Sequence, residues 1–421
     1  MTIQLRLILL FFLQFAVWGS YLTSMGNYLA QVGLGSNIGW FYTVQGIVSL
    51  FMPTLMGIVA DRKIEAQRLL GMLHMAAGAL MLVVWWIGQS QGANVTFNAI
   101  FWPYAVSVAF YMPTLGLSNS VAYTAMQREQ IDVVGQFPRI RIFGTVGFLV
   151  TMWMVDLLKY QQTATQFLVC GICGLLMGCY ALTMPHCPVN KDNGEGQTWV
   201  QRMGLDAFSL LRTPRMLIFF LFSMMLGVSL QITNGYAAPY ISSFGNVEAF
   251  AGSYFAEHAN LLISLSQVSE TLCILLIPFF MRRYGIRTVM LIAMTAWMLR
   301  FGLLGLGAPV WPGITCLVLS MIVYGVAFDF FNISGSMFVD SEVPVERRSS
   351  AQGLFMLMTN GLGAAIGTLG AQAIVNHFVY NVQGAEAQLE GWRTSWFIFA
   401  AYSALVLVAF AVLFRDKKAV K

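Results

Sequence analysis

Twelve apolar stretches, most of them about 20 residues or longer, dominate this 421-residue chain. They run approximately over 5–30, 38–60, 68–88, 98–124, 139–158, 165–184, 216–237, 258–281, 286–307, 312–335, 351–377 and 393–414. Each is long enough to cross the hydrocarbon core of a bilayer, where only a helix or a closed barrel satisfies its own backbone. The runs are too long and continuous for the strand alternation of a membrane β-barrel. With 58% hydrophobic and only 10% charged residues, against about 25% charged in soluble domains, a water-soluble enzyme is excluded. The chain reads as an all-α polytopic membrane protein with twelve transmembrane helices.

A net charge of +5 raises the question of a nucleic-acid partner, and its distribution answers it. With the N-terminus inside, 20 of the 23 Lys and Arg residues fall on the inner side, among them Arg62, Lys63, Arg68, Arg139, Arg141, Arg282, Arg283 and Lys417. Only Lys159 and Arg393 fall outside, and Arg300 lies within a helix. This is the positive-inside pattern, and one missed span would scramble every later loop. Both termini are therefore expected to be cytoplasmic, with the bilayer and not nucleic acid as the partner of the basic residues. The first apolar run lacks a small-residue cleavage site and reads as a retained helix.

The longest polar stretch, residues 185–215, follows the sixth span and separates an N-terminal six-helix half (1–184) from a C-terminal one (216–421). Val200, Met203, Phe208 and Leu211 recur within it at spacings that suggest a short amphipathic helix on the inner surface. In both halves the loop after the second helix carries basic residues around a tight turn, at Gly57 to Arg68 and at Arg282 to Arg287. Two six-helix halves with both termini inside is the architecture of the major facilitator superfamily, in which the substrate site lies near mid-membrane. No cofactor or metal is expected. Cys170 and Cys173 form a CxxC inside an apolar helix, with His186 beyond its end and no second CxxC, so the six cysteines read as small packing residues.

The informative side chains are those that cost most to insert, because a charge at the bilayer centre costs at least about 2.5–3.5 kcal/mol. Glu270 sits in the eighth span, with Gln267 on its face and Ser266 beside it; Asp329 lies deep in the tenth, beside an aromatic stripe of Tyr324, Phe328 and Phe331. Gln231 and Asn234 share a face of the seventh helix, and Arg141, Thr145 and Phe148 a face of the fifth. Each set has a plainer reading. The amides also serve as interhelical hydrogen-bond glue, the stripe as packing, the carboxylates as permanent ion-pair partners of Arg300 or Arg141, and Arg141 as a snorkelling anchor. His74 and His377 read as packing or interface residues. Taken together, amides, aromatic faces and carboxylates suit a planar heterocycle that carries a polyol. A carboxyl group that alternates between a dry site and water also takes a proton on one side and releases it on the other.

These residues sit in segments that resemble a known family. Phe137-Pro138-Arg139-Ile140-Arg141-Ile142-Phe143-Gly144-Thr145-Val146-Gly147-Phe148, Leu230 to Asn234, Ser264 to Glu270 and Met321 to Gly335 resemble the bacterial nucleoside permeases of the nucleoside:proton symporter family, within the major facilitator superfamily. Shorter echoes occur at Phe110 to Thr114, at Ser350 to Gly353 and at Gln201 to Phe208 in the linker. The resemblance implies a monomeric, multi-pass protein of the bacterial inner membrane that imports purine and pyrimidine nucleosides of the uridine and adenosine type with a proton. It implies a cavity of Arg141, Thr145, Phe148, Gln231, Asn234, Gln267, Glu270, Tyr324, Phe328 and Asp329, with Glu270 and Asp329 leading for substrate hydroxyls or the coupling proton. Gly57 to Arg62 looks like the superfamily's gating signature without its later Gly-Arg-Arg part, and the loop from Asn381 to Gly391 has no match. The alternative is a transporter of sugars or other small polar solutes on the same fold. A membrane enzyme would need a catalytic cluster, and none is visible.

Overall fold

The computed structural model describes residues 2–187, 205–274, 276–343 and 348–414. Val200 and Met203, and the side chains of Asp61 and Arg62, lie outside the described residues. The chain divides into two compact units, Met1–Gly196 and Gln197–Lys421. Among the described residues both contain helices joined by turns, and no strand. Nine helices among the described residues are long and apolar enough to cross a membrane, and two shorter apolar ones, Ile3–Gly19 and Thr165–Ala181, accompany them.

The first unit contains α1 (Ile3–Gly19), α2 (Met25–Gln31), α3 (Ile38–Arg62), α4 (Ala66–Gln91), α5 (Phe97–Arg128), α6 (Val133–Leu157) and α7 (Thr165–Ala181). The second opens with a 3-10 segment (Leu205–Arg212). It continues with α8 (Pro214–Ser243), α9 (Tyr254–Glu257), α10 (Ala259–Ile274), α11 (Ile277–Leu306), α12 (Gly313–Glu342), α13 (Arg348–Met356), α14 (Ala364–Val375) and α15 (Ala385–Leu413). Two π-helical segments, Leu357–Gly363 and Asn376–Tyr380, flank α14.

Three expected spans need correction. The first, 5–30, is two helices, because the chain turns at residues 20–24, where Ser20 Oγ donates to the Val17 carbonyl and Ser24 Oγ to Gln166 Oε1. The eighth, 258–281, ends at Ile274, and the next helix starts at Ile277. That helix is interrupted at Gly285, whose φ of 71° with ψ of 174° is open to a residue without Cβ. The unmatched loop from Asn381 is mostly the first turns of α15, which begins at Ala385 after Gly384.

The two units repeat one packing scheme. In the first, α1 packs on α6, α3 on α5, and α4 on both α5 and α7. In the second, α8 packs on Leu357–Gly363 and α14, α10 on α12, and α11 on both α12 and α15. The leading pair of each scheme meets through glycine. A Cβ on Gly147 would overlap the carbonyl of Phe12, and one on Gly227 would overlap the carbonyl of Thr359. Small residues let helices approach this closely where lipid supplies no hydrophobic drive for association. On other faces large apolar side chains such as Trp86, Trp102, Leu405 and Val408 stay exposed. A soluble monomer would not tolerate such patches, and lipid accepts them.

The first unit also fastens its own end. Glu65, in the turn between α3 and α4, accepts from His186 Nδ1 at 3.2 Å and Gln67 Nε2 at 2.8 Å, and pairs with Arg68 Nε at 2.9 Å. Gln67 Oε1 accepts from the Cys187 backbone N–H at 2.9 Å, and Arg128 Nη1 donates to the His186 carbonyl at 2.8 Å. The hydrogen bond from His186, then Arg68 and Gln67, hold the Glu65 carboxyl below its usual value against a smaller desolvation effect.

Candidate functional site

In the second unit the site is built where α10 lies against α12. Ser269 Oγ donates to the Ile322 carbonyl, and Ser266 Oγ to Met321 Sδ at 3.2 Å. Gly325 supplies the notch for this contact, since a Cβ there would lie 2.5 Å from the Ser269 carbonyl carbon. The next residue after Ser269 is Glu270, and one turn beyond Gly325 is Asp329. The two carboxylates lie within electrostatic range of each other. Asp329 is only 2% exposed, and its Oδ2 has no hydrogen-bond partner among the described residues. A buried acceptor left without a donor is costly, and a proton or a substrate hydroxyl removes that cost.

Beside the carboxylates stands an aromatic stack. The rings of Tyr324 and Phe328 are 5.7 Å apart and 12° from parallel. Tyr324 is buried and Phe328 only partly so. Phe331, the third member of the expected stripe, leaves it and packs on Phe355 at 5.7 Å, a contact across helices that spacing along one helix does not reveal. Gln267 on α10, and Gln231 and Asn234 on α8, are half-buried.

Arg300 anchors the floor of this cluster. Its Nη1 donates to the Ser320 carbonyl at 2.8 Å and to Ser266 Oγ at 3.4 Å, its Nε to Thr233 Oγ1 at 3.4 Å, and its guanidinium lies 4.4 Å over the Tyr324 ring. Among the described residues no carboxylate lies within ion-pair distance of it, so the expected alternative of a permanent Arg300 ion pair is replaced by neutral partners. Of these acceptors only Ser266 was singled out in the sequence, beside Glu270; the Thr233 hydroxyl and the Ser320 carbonyl were silent there. The signal that could have found them is the buried arginine itself, which obliges nearby helices to supply acceptors.

In the first unit α6 carries the other candidates. The Arg141 guanidinium lies 3.9 Å over the Phe15 ring and 5.6 Å from that of Phe11, both on α1. This is a cation–π seat. Thr145 is half-buried, and Phe148 is buried near the Gly19 crossing of α1 and α6. Behind them runs a polar chain that the sequence did not reveal. Tyr111 OH donates to the Gln14 carbonyl, Gln14 Nε2 to Thr114 Oγ1, and Gln14 Oε1 lies 2.8 Å from His74 Nε2. His74 is wholly buried, a packing residue with a specific hydrogen bond.

The family model for nucleoside H+ symporters matches residues 1–419. The chain belongs to the nucleoside H+ symporter family. Among its relatives is the nucleoside permease NupG of Escherichia coli (strain K12), 44% identical over 99% of this chain and 97% of that protein. The xanthosine permease of the same organism is 42% identical over 99% of this chain and 96% of its own length. The crystal structure of the nucleoside transporter NupG superposes with a TM-score of 0.89 at 42% identity, covering 99% of this chain and 100% of that one. As a member of this family the chain is a nucleoside:proton symporter, a non-enzymatic, multi-pass permease of the bacterial inner membrane.

Proposed function

We propose that the protein imports both purine and pyrimidine nucleosides by alternating access, as a monomer with twelve transmembrane helices and both termini in the cytoplasm, its halves joined by a cytoplasmic linker at 185–215. The aromatic pair Tyr324 and Phe328 receives the base. Gln231, Asn234, Gln267, Arg141 and Thr145 exchange hydrogen bonds with base edges and ribose, and Phe148 gives a second apolar face. Glu270 and Asp329 accept the ribose hydroxyls and carry the coupling proton. The observation that carries this reading is the buried Oδ2 of Asp329, without a hydrogen-bond partner among the described residues, within electrostatic range of Glu270 and next in sequence to Phe328 of the ring stack. The division of 20 inner against 2 outer basic residues supports the orientation. A proton entering with the potential gains about 2.3 kcal/mol per 100 mV, enough to accumulate a neutral solute.

The test is accumulation of radiolabelled uridine and adenosine in cells expressing Asp329→Asn or Glu270→Gln. Both variants should reach the membrane at wild-type levels and equilibrate or exclude nucleoside without concentrating it. Wild-type accumulation that survives complete collapse of the proton gradient overturns the coupling, and competition by sugars but not by nucleosides overturns the substrate.

A further inference from the structure

We propose that Arg300 is a positioning residue for the nucleoside base, acting through Tyr324; this rests on the proposed placement of the base on the Tyr324–Phe328 stack. An arginine is charged under all ordinary conditions and strongly hydrated in water. Here its side chain is fully buried inside an apolar helical unit. A merely structural role is poorly served by such a group, because well-packed apolar residues fill the same space at equal or lower free energy. Its contacts point to another role.

Exposure rises along the series Arg300, Tyr324 and Phe328. The guanidinium is 0% exposed, the Tyr324 ring on which it rests is 5% exposed, and the Phe328 ring stacked on Tyr324 is partly open. Trp297 meets Tyr324 edge-on, 5.9 Å away at 89°, and closes another side of the ring. Tyr324 therefore has a cation, an edge-on ring and a near-parallel ring around it, and the guanidinium is one of the groups that restrain its plane. Since Phe328 lies 12° from that plane, the restraint extends to the angle of its ring.

The guanidinium is in turn fixed from four helices. Thr233 belongs to α8, Ser266 to α10, Ser320 to α12, and Arg300 itself to α11. These include every helix of the second unit that bears a proposed substrate group: Gln231 and Asn234 on α8, Gln267 and Glu270 on α10, and Tyr324, Phe328 and Asp329 on α12. The Ser320 hydroxyl donates back to the Arg300 carbonyl at 3.0 Å, so α11 and α12 are locked at the same level as the stack. A planar, forked donor can hold this arrangement, whereas the point charge of a lysine cannot satisfy the same directions.

The experiment is a double-mutant cycle read by uridine binding to the purified full-length protein, with thermal stability measured in parallel. R300Q should weaken uridine binding about tenfold, in keeping with one cation–π contact in a desolvated site. R300K should recover only part of this. In a Y324L background, R300Q should change the dissociation constant by less than about twofold, because the ring it acts on is gone. The double variant T233A/S266A keeps the arginine and releases two of its anchors, and should also weaken binding. It covers the case in which R300Q does not fold. Equal losses from R300Q in both backgrounds, or wild-type affinity in R300Q or T233A/S266A with only a lowered melting temperature, overturn the proposal while uridine binding by the wild type still stands. A wild-type protein that binds no nucleoside overturns the substrate reading and this inference together.

Discussion

Gly325→Ala adds one methyl group at the contact that sets the spacing between Glu270 and Asp329. The new Cβ would sit 2.5 Å from the Ser269 carbonyl carbon and 2.6 Å from its carbonyl and hydroxyl oxygens, against 3.4 Å for ordinary contact. The deficit of about 0.9 Å falls on backbone, which cannot rotate away, so α10 and α12 must separate by nearly that distance. Overpacking of this kind costs about 1–3 kcal/mol, and a displacement of about 1 Å at a reacting centre lowers turnover by up to about a hundredfold. In proteoliposomes, proton-driven uridine uptake should fall by at least about tenfold. The melting temperature of the purified protein should drop by at least about 2 °C. Gly302→Ala is the matched control, because nothing lies within 4 Å of its added Cβ and replacement of a helical glycine is neutral or slightly stabilising. Wild-type uptake and stability in Gly325→Ala would refute the assignment of this contact, and an equal loss in Gly302→Ala would show that neither effect comes from the helix spacing.

Other consequences are simpler to measure. If the base lies on Phe328, Phe328→Ala should raise the apparent KM for uridine about tenfold, since base–aromatic stacking is worth about 1–3 kcal/mol, and Phe328→Leu should raise it less; equal effects would mark the ring as packing. Gly147→Ala and Gly227→Ala each add a methyl group against backbone at the leading helix contact of one unit and should each lower the amount of folded protein recovered from membranes, with fluorescence-detected size exclusion as the readout. Glu65 is held below its usual value, so its contacts favour the folded state at and above the ordinary glutamate value of 4.5, and this contribution disappears as pH falls through the lower folded value. Glu65→Gln should therefore lower stability at neutral pH and have no effect in acid below both values; an effect that grows toward acid would contradict the arrangement.

The parts of this molecule that were readable without coordinates are those where insertion free energy constrains residue choice. The spans, and the isolation of Glu270 and Asp329 within them, follow from the cost of placing charge in lipid. The division of the first span at residues 20–24 was not readable. The turn is stabilised by Ser24 donating to Gln166, a partner 142 residues away, and the local sequence stays apolar enough to continue a helix. The spacing of Tyr324, Phe328 and Phe331 described one face correctly but could not show that Phe355 would claim the last ring. Arg300 was visible as an anomaly, yet its meaning was hidden, because its partners are one backbone carbonyl and two ordinary hydroxyls on other helices. The π-helical turns at Leu357–Gly363 left no trace in the periodicity.

The pairing of α1 with α6 also sets an order of events during synthesis. Phe12 and the Gly147 that receives it are about 135 residues apart, so at about 5–20 residues per second the first helix waits about 7 to 27 seconds before its partner is made. Throughout that interval its glycine notch at Gly19 faces lipid or the insertion machinery. The α1–α6 contact cannot form as α1 emerges; it waits until the chain has passed Leu157, and α7 follows it. A ribosome that stalls anywhere between α2 and α6 leaves a membrane-inserted fragment with its opening helix unclaimed, a ready substrate for membrane quality-control proteases.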